Sequence, residues 1–74
     1  MNNVEIRIRG QYDGLSEAEK RAADYFLKNP KDVMAMPVSE LARKSGASSA
    51  AWVRLCKAIG YDGLKALRLQ LFAG

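Results

Sequence analysis

Gly46 stands between two short amphipathic stretches, and that arrangement constrains the chain more than any other feature of its sequence. Val38, Leu41, Ala42 and Ser45 recur at helical spacing and make the inward face of a helix of about two turns. Gly46 follows where a helix stops on a left-handed residue, a conformation that glycine adopts without steric cost. Ala47 and Ser48 complete a tight turn, and Ser48 is a good N-cap for a second helix from about Ser49 to Ile59. Along that second helix Trp52, Leu55, Cys56 and Ile59 lie on one side, while Ala50, Arg54 and Lys57 point to the other. The small Ala42 lets the two helices cross closely, and Ala47, Trp52 and Leu55 fix the crossing. Residues 37–60 therefore read as a helix-turn-helix, whose second helix fits a DNA major groove. A helical hairpin with a glycine turn and no DNA role satisfies the same segment.

The rest of the chain supplies short helices around this motif. Val4, Ile6 and Ile8 alternate as in a strand, yet no second alternating run exists to pair with them. Val4, Ile8 and Tyr12 also form an i, i+4 stripe, which predicts a short N-terminal helix weakened by Gly10. Ser16 and Glu19 have the capping-box spacing. Ala18, Ala22 and Phe26, widened by Ala23 and Leu27, extend that helix until Asn29-Pro30 ends it. Lys31 to Met36 provides one or two turns with Val33 and Met36 inward. Pro37 suits the first position of the next helix. After Gly60-Tyr61-Asp62-Gly63, Asp62 can cap a last helix running through Leu64, Leu67, Leu71 and Phe72. The expectation is an all-α, compact bundle of about five short helices, one domain over 1–74.

A chain of 74 residues buries only about 60% of its unfolded surface, so its core is marginal. With one cysteine, Cys56, and no histidine, neither a disulfide nor a zinc site is expected, and the default for Cys56 is a small buried hydrophobe. A reducing, cytoplasmic setting fits, since the opening residues lack a signal-peptide pattern and no apolar stretch approaches the roughly 20 residues of a membrane span. No cofactor, metal or catalytic residue is expected. The sole cysteine has no plausible base, no glycine-rich phosphate loop is present, and Glu19 and Asp24 read as spaced along a solvated helix face.

The charge of +4 suits a polyanionic partner. It is concentrated late: residues 31–74 hold seven basic residues (Lys31, Arg43, Lys44, Arg54, Lys57, Lys65 and Arg68) against three acidic ones. Arg54 is the leading candidate for a base contact, because arginine can bond guanine O6 and N7 together. Ser49 could meet a base or phosphate, Ala50 could offer a methyl to thymine, and Val53 lies on the same helix. Ser48 caps that helix, and its amide can face a phosphate. Lys44, Lys57 and Lys65 are candidate phosphate contacts. Tyr61 either bonds a phosphate or closes the core. Trp52 is read as core rather than as an intercalating ring.

The segment Leu15 to Leu27, LSEAEKRAADYFL, resembles the opening helix of the RpiR family of bacterial regulators. Val38-Ser39-Glu40-Leu41-Ala42, followed by Gly46, Ser48, Val53-Arg54-Leu55-Cys56, Ile59-Gly60-Tyr61 and Gly63, is similar to that family's helix-turn-helix signature. The resemblance runs from about Tyr12 to Leu71. It implies an N-terminal domain of five helices that binds double-stranded DNA, within a homodimeric regulator of sugar or phosphosugar metabolism. In that family a sugar-isomerase-type domain normally follows and senses phosphosugars. It is absent before Gly74, so a phosphosugar effector is expected only if such a domain follows. The family usually has Thr where this chain has Ala51, a small β-branched residue where it has Trp52, and a serine cap where it has Met36-Pro37. Loss of the threonine hydroxyl bears on DNA affinity more than on the fold. Ala50 and Ala51 keep open the alternative of a helical protein-interaction or dimerisation module without DNA readout.

Overall fold

In the computed structural model, which describes residues 3–73, every regular element is helical. Met1, Asn2 and Gly74, the ends of the expected 1–74 domain, lie outside the described residues. The elements are α1 (Asn3–Gln11), a single 3-10 turn (Tyr12–Gly14), α2 (Glu17–Lys28), α3 (Pro30–Ala35), α4 (Val38–Ser45), α5 (Ser49–Ala58) and α6 (Leu64–Ala73). The all-α bundle is thus as expected, with six short α-helices rather than about five.

Local signals decide most boundaries. The Ser16 hydroxyl accepts from the Glu19 amide at 3.2 Å, and the Ser16 amide donates to Glu19 Oε1 at 3.0 Å, so two otherwise orphaned amides are satisfied at the start of α2. Pro30 then opens α3 directly after α2 ends. Pro37 sits one position earlier than expected: it is the extended N-cap of α4, and the helix begins at Val38. Gly46 closes α4 with φ +75°, and Ser48 caps α5 by accepting from the Ala51 amide at 3.1 Å.

The core gathers Val4 and Ile8 from α1, Ala22, Ala23 and Phe26 from α2, Val33 from α3, Leu41 from α4, and Ala51, Trp52, Leu55 and Cys56 from α5. Leu67 is the buried residue of α6. Helix α2 packs against both α4 and α5, and α6 closes the bundle over α1, α3 and α5. Two arginines tie distant elements together. Arg7 donates to the Ile59 carbonyl at 3.0 Å and lies 5.1 Å from the centre of the Tyr61 ring. Gly60 is required at this crossing, because its φ is +97° and a Cβ there would come within 2.6 Å of the Arg7 guanidinium. Arg68 donates through Nε to the Val33 carbonyl at 2.9 Å and also bonds the Met36 carbonyl, which satisfies the end of α3.

The last helix runs through Leu64, Leu67, Leu71 and Phe72 as expected, but these residues do not all face inward. Phe72 is 83% exposed and Leu71 only half-buried, so the inward face of α6 is narrower than Leu64, Leu67, Leu71 and Phe72 together. Phe72 lies about 140° around the helix from Leu67, which the 100° step per residue dictates. Among the described residues no helix is long and apolar enough to cross a membrane, and no group of three or more His, Cys, Asp or Glu side chains could hold a metal.

Candidate nucleic-acid interface

Helix α5 divides cleanly by its period. Ser49, Ala50, Val53, Arg54 and Lys57 fall within one arc of about 140° and are all exposed, whereas Ala51, Trp52, Leu55 and Cys56 fall in the opposite arc and are buried. The outward face carries two cations, and α5 contains no acidic residue. Because the first amides of a helix have no partner within it, the Ser49 and Ala50 end of α5 presents N–H groups with the positive end of the helix dipole behind them.

The buried arc holds that face in place. Trp52 is fully buried, and its indole Nε1 donates to Ser45 Oγ at 2.9 Å. The same hydroxyl accepts from the Ala47 amide at 3.2 Å and donates to the Ala42 carbonyl at 3.4 Å. One serine therefore joins the end of α4, the turn and the middle of α5. The Tyr25 ring meets Trp52 edge-on, with centroids 6.3 Å apart, so α2 supports the crossing from behind. Neither the role of Ser45 nor that of Tyr25 is visible in the helical period, since both depend on which helices become neighbours.

Several site expectations change at this level. Ala51 belongs to the core, with no exposed surface, so the missing threonine hydroxyl takes nothing away from the outer face. The Tyr61 hydroxyl is buried without a hydrogen-bond partner, which leaves no exposed oxygen to offer a phosphate. Ser48 Oγ is engaged as the cap of α5. Lys44, in the last turn of α4, and Lys65, at the start of α6, are exposed but stand on other helices than the α5 face. Of the basic residues in the second half, Arg43 is paired with Glu40 at 2.7 Å and Arg68 is spent inside the fold. The exposed lysines Lys31, Lys44, Lys57 and Lys65 carry the remaining excess together with Arg54.

Glu19 and Asp24 are not simply solvated. Asp24 accepts from the Tyr12 hydroxyl at 2.8 Å. Glu19, besides its capping bond, places Oε2 3.5 Å from Arg54 Nε, with the two side chains 15% and 56% exposed respectively. The capping box in the sequence accounts for one oxygen of Glu19, and only the packing of α2 on α5 reveals the use of the other. Cys56 is fully buried, as a small hydrophobe on the inner stripe would be, and burial pushes its thiol up to about 11.

The chain matches the family model of a helix-turn-helix domain, rpiR family, over residues 2–73. It is 37% identical over 68 residues to the bifunctional protein glk of Paraburkholderia xenovorans, covering 92% of this chain and 11% of that protein. It is also 37% identical over 71 residues to the HTH-type transcriptional regulator YfhH of Escherichia coli, covering 96% of this chain and 25% of that one. The chain thus spans about a tenth and a quarter of the lengths of these two relatives. Among solved structures, the N-terminal domain of ybbH from Bacillus subtilis superposes with a TM-score of 0.87 at 28% identity, covering 97% of this chain and 88% of that one. The Vibrio vulnificus NanR protein complexed with ManNAc-6P gives a TM-score of 0.87 at 34% identity, covering 95% of this chain and 27% of that one.

Proposed function

Because the chain belongs to the rpiR family of helix-turn-helix domains, we propose that it binds double-stranded DNA as the reading head of a transcriptional regulator, with α5 lying in the major groove. The observation that carries this reading is the outward face of α5: Ser49, Ala50, Val53, Arg54 and Lys57 exposed together, with no acid on the helix. In this reading residues 1–74 act as one DNA-binding unit with the motif at 37–60. Arg54 reads a base, Ser49 and the first amides of α5 meet a base edge or phosphate, and Ala50 and Val53 offer apolar contact to thymine. Lys57, with Lys44 on the first helix of the motif and Lys65 on α6, neutralises phosphates. We assign the domain no catalytic step.

A role in sugar or phosphosugar metabolism is the finer part of the proposal. It is supported by the likeness to NanR, whose structure contains ManNAc-6P. An effector of that kind would be held outside this helical domain, in a sensing domain of a homodimeric regulator.

The decisive experiment is a binding-site selection on wild type, Arg54→Ala and Lys57→Ala at one fixed salt concentration. Arg54→Ala is expected to cost about 1–3 kcal/mol and to relax preference at one base position. Its fold should hold, because the side chain is over half exposed and its ion pair with Glu19 is a surface pair. Lys57→Ala is expected to weaken all sequences alike and to flatten the salt slope by about one unit. A wild type that enriches no sequence, or an enriched sequence untouched by Arg54→Ala, moves the reading to a protein-interaction module.

A further inference from the structure

We propose that Glu19, a residue of α2 outside the helix-turn-helix, is a positioning residue for DNA readout: it holds Arg54 by Nε and leaves the two terminal amino groups of the guanidinium to meet a base. The role presupposes that α5 enters the major groove. Three observations lead to it. Glu19 is anchored twice at its own helix start, its amide to Ser16 Oγ at 3.2 Å and its Oε1 to the Ser16 amide at 3.0 Å. Its side chain is only 15% exposed, so the carboxylate has little freedom to follow a moving partner. Its second oxygen, Oε2, lies 3.5 Å from Arg54 Nε, on a helix that α2 packs against.

An arginine on an exposed helix face has many rotamers, and ordering it on binding opposes association. A fixed carboxylate at Nε restricts those rotamers before DNA arrives. It does so without consuming the terminal amino groups, which can form the paired bonds to guanine O6 and N7. The same carboxylate is a negative charge beside the groove-facing helix. It opposes phosphate in any docking where Arg54 finds no base, so it weakens sequence-independent binding. The first effect strengthens binding at the preferred site and the second weakens it elsewhere, so both widen the discrimination between sequences. Because the Arg54 partner is over half exposed, solvent screens the pair and it contributes little to the stability of the fold.

Glu19→Gln separates this role from the cap, because glutamine also completes a capping box and the thermal melt should stay in place. With the sequence enriched by wild type and a random duplex as probes, Glu19→Gln is expected to bind the enriched site several-fold more weakly and the random duplex no more weakly. The ratio of the two affinities then falls about tenfold, within the range that one lost base contact allows. In an Arg54→Ala background the same substitution should leave the ratio unchanged. An unchanged ratio in the wild-type background, or an equal rise in both affinities, overturns the positioning role while DNA binding stands. A wild type with no preferred sequence overturns the DNA reading, and this role with it.

Discussion

Trp52→Ala is expected to unfold the domain or bring it to the edge of unfolding at room temperature. The side chain is fully buried, meets Tyr25 edge-on and donates to Ser45 Oγ. Emptying a large aromatic site usually costs about 3–5 kcal/mol, and a domain of this size has little more than that to lose. The truncation also takes from Ser45 the donor that ties α5 to the end of α4. Urea melts followed by circular dichroism measure the effect. Trp52→Phe keeps most of the volume and removes the N–H, so it should cost far less, about 1 kcal/mol for the hydrogen bond with some loss of packing. A urea midpoint barely moved by Trp52→Ala, with DNA binding selectively lost, would place Trp52 on the outer face and refute the two-faced reading of α5.

Joining two copies of the domain by a flexible linker should tighten binding to a paired site by about 10²–10⁴ over one copy. The reason is size. The described residues extend 27 × 26 × 22 Å, whereas equivalent major-groove positions on one side of DNA lie about 34–36 Å apart. One domain can therefore grip one half-site and no more. A Gly/Ser linker of about 40 residues has a typical reach of roughly 35 Å, enough to join two seated domains. Fluorescence anisotropy on duplexes with half-sites about 10 bp apart should show the gain. Moving one half-site by about 5 bp turns it to the opposite side of the helix and should diminish it. Equal affinities for the single and joined forms on the correctly spaced site would exclude the half-site picture.

The parts of this protein that were legible from its sequence are those set within a few residues of each other. The Ser16–Glu19 box, the Asn29-Pro30 break, the left-handed Gly46 and the Ser48 cap each act locally, and each stands where its spacing places it. The periodicity of α5 likewise separates Trp52, Leu55 and Cys56 from Arg54 and Lys57, because a helix repeats its faces whatever it packs against. What was not legible depends on partners distant in the chain. Arg68 counts as a surface charge until α6 is laid over α3, where it bonds the carbonyls of Val33 and Met36. Ala51 looks like a deleted contact until α5 is turned so that its methyl is inside. Which face Phe72 takes is likewise set only by how α6 is laid down, and its angular position puts it outside. In the candidate interface, the outward face of α5 follows from its period, whereas the Glu19–Arg54 pairing follows only from the fold.

The environment of Cys56 gives the domain a built-in reporter of its own breathing. Thiol reagents react with the thiolate, and a buried thiol raised to about 11 offers almost none at neutral pH. With no exposed surface in the closed bundle, Cys56 meets a reagent only when α5 lifts from its neighbours. It is also the single cysteine of the chain, so no other site obscures the signal. When closing is fast compared with labelling, the modification rate measures the population of the open state and hence the free energy of opening. Following that rate with and without duplex DNA would express occupancy of the outer face of α5 as a change in how often its inner face becomes accessible.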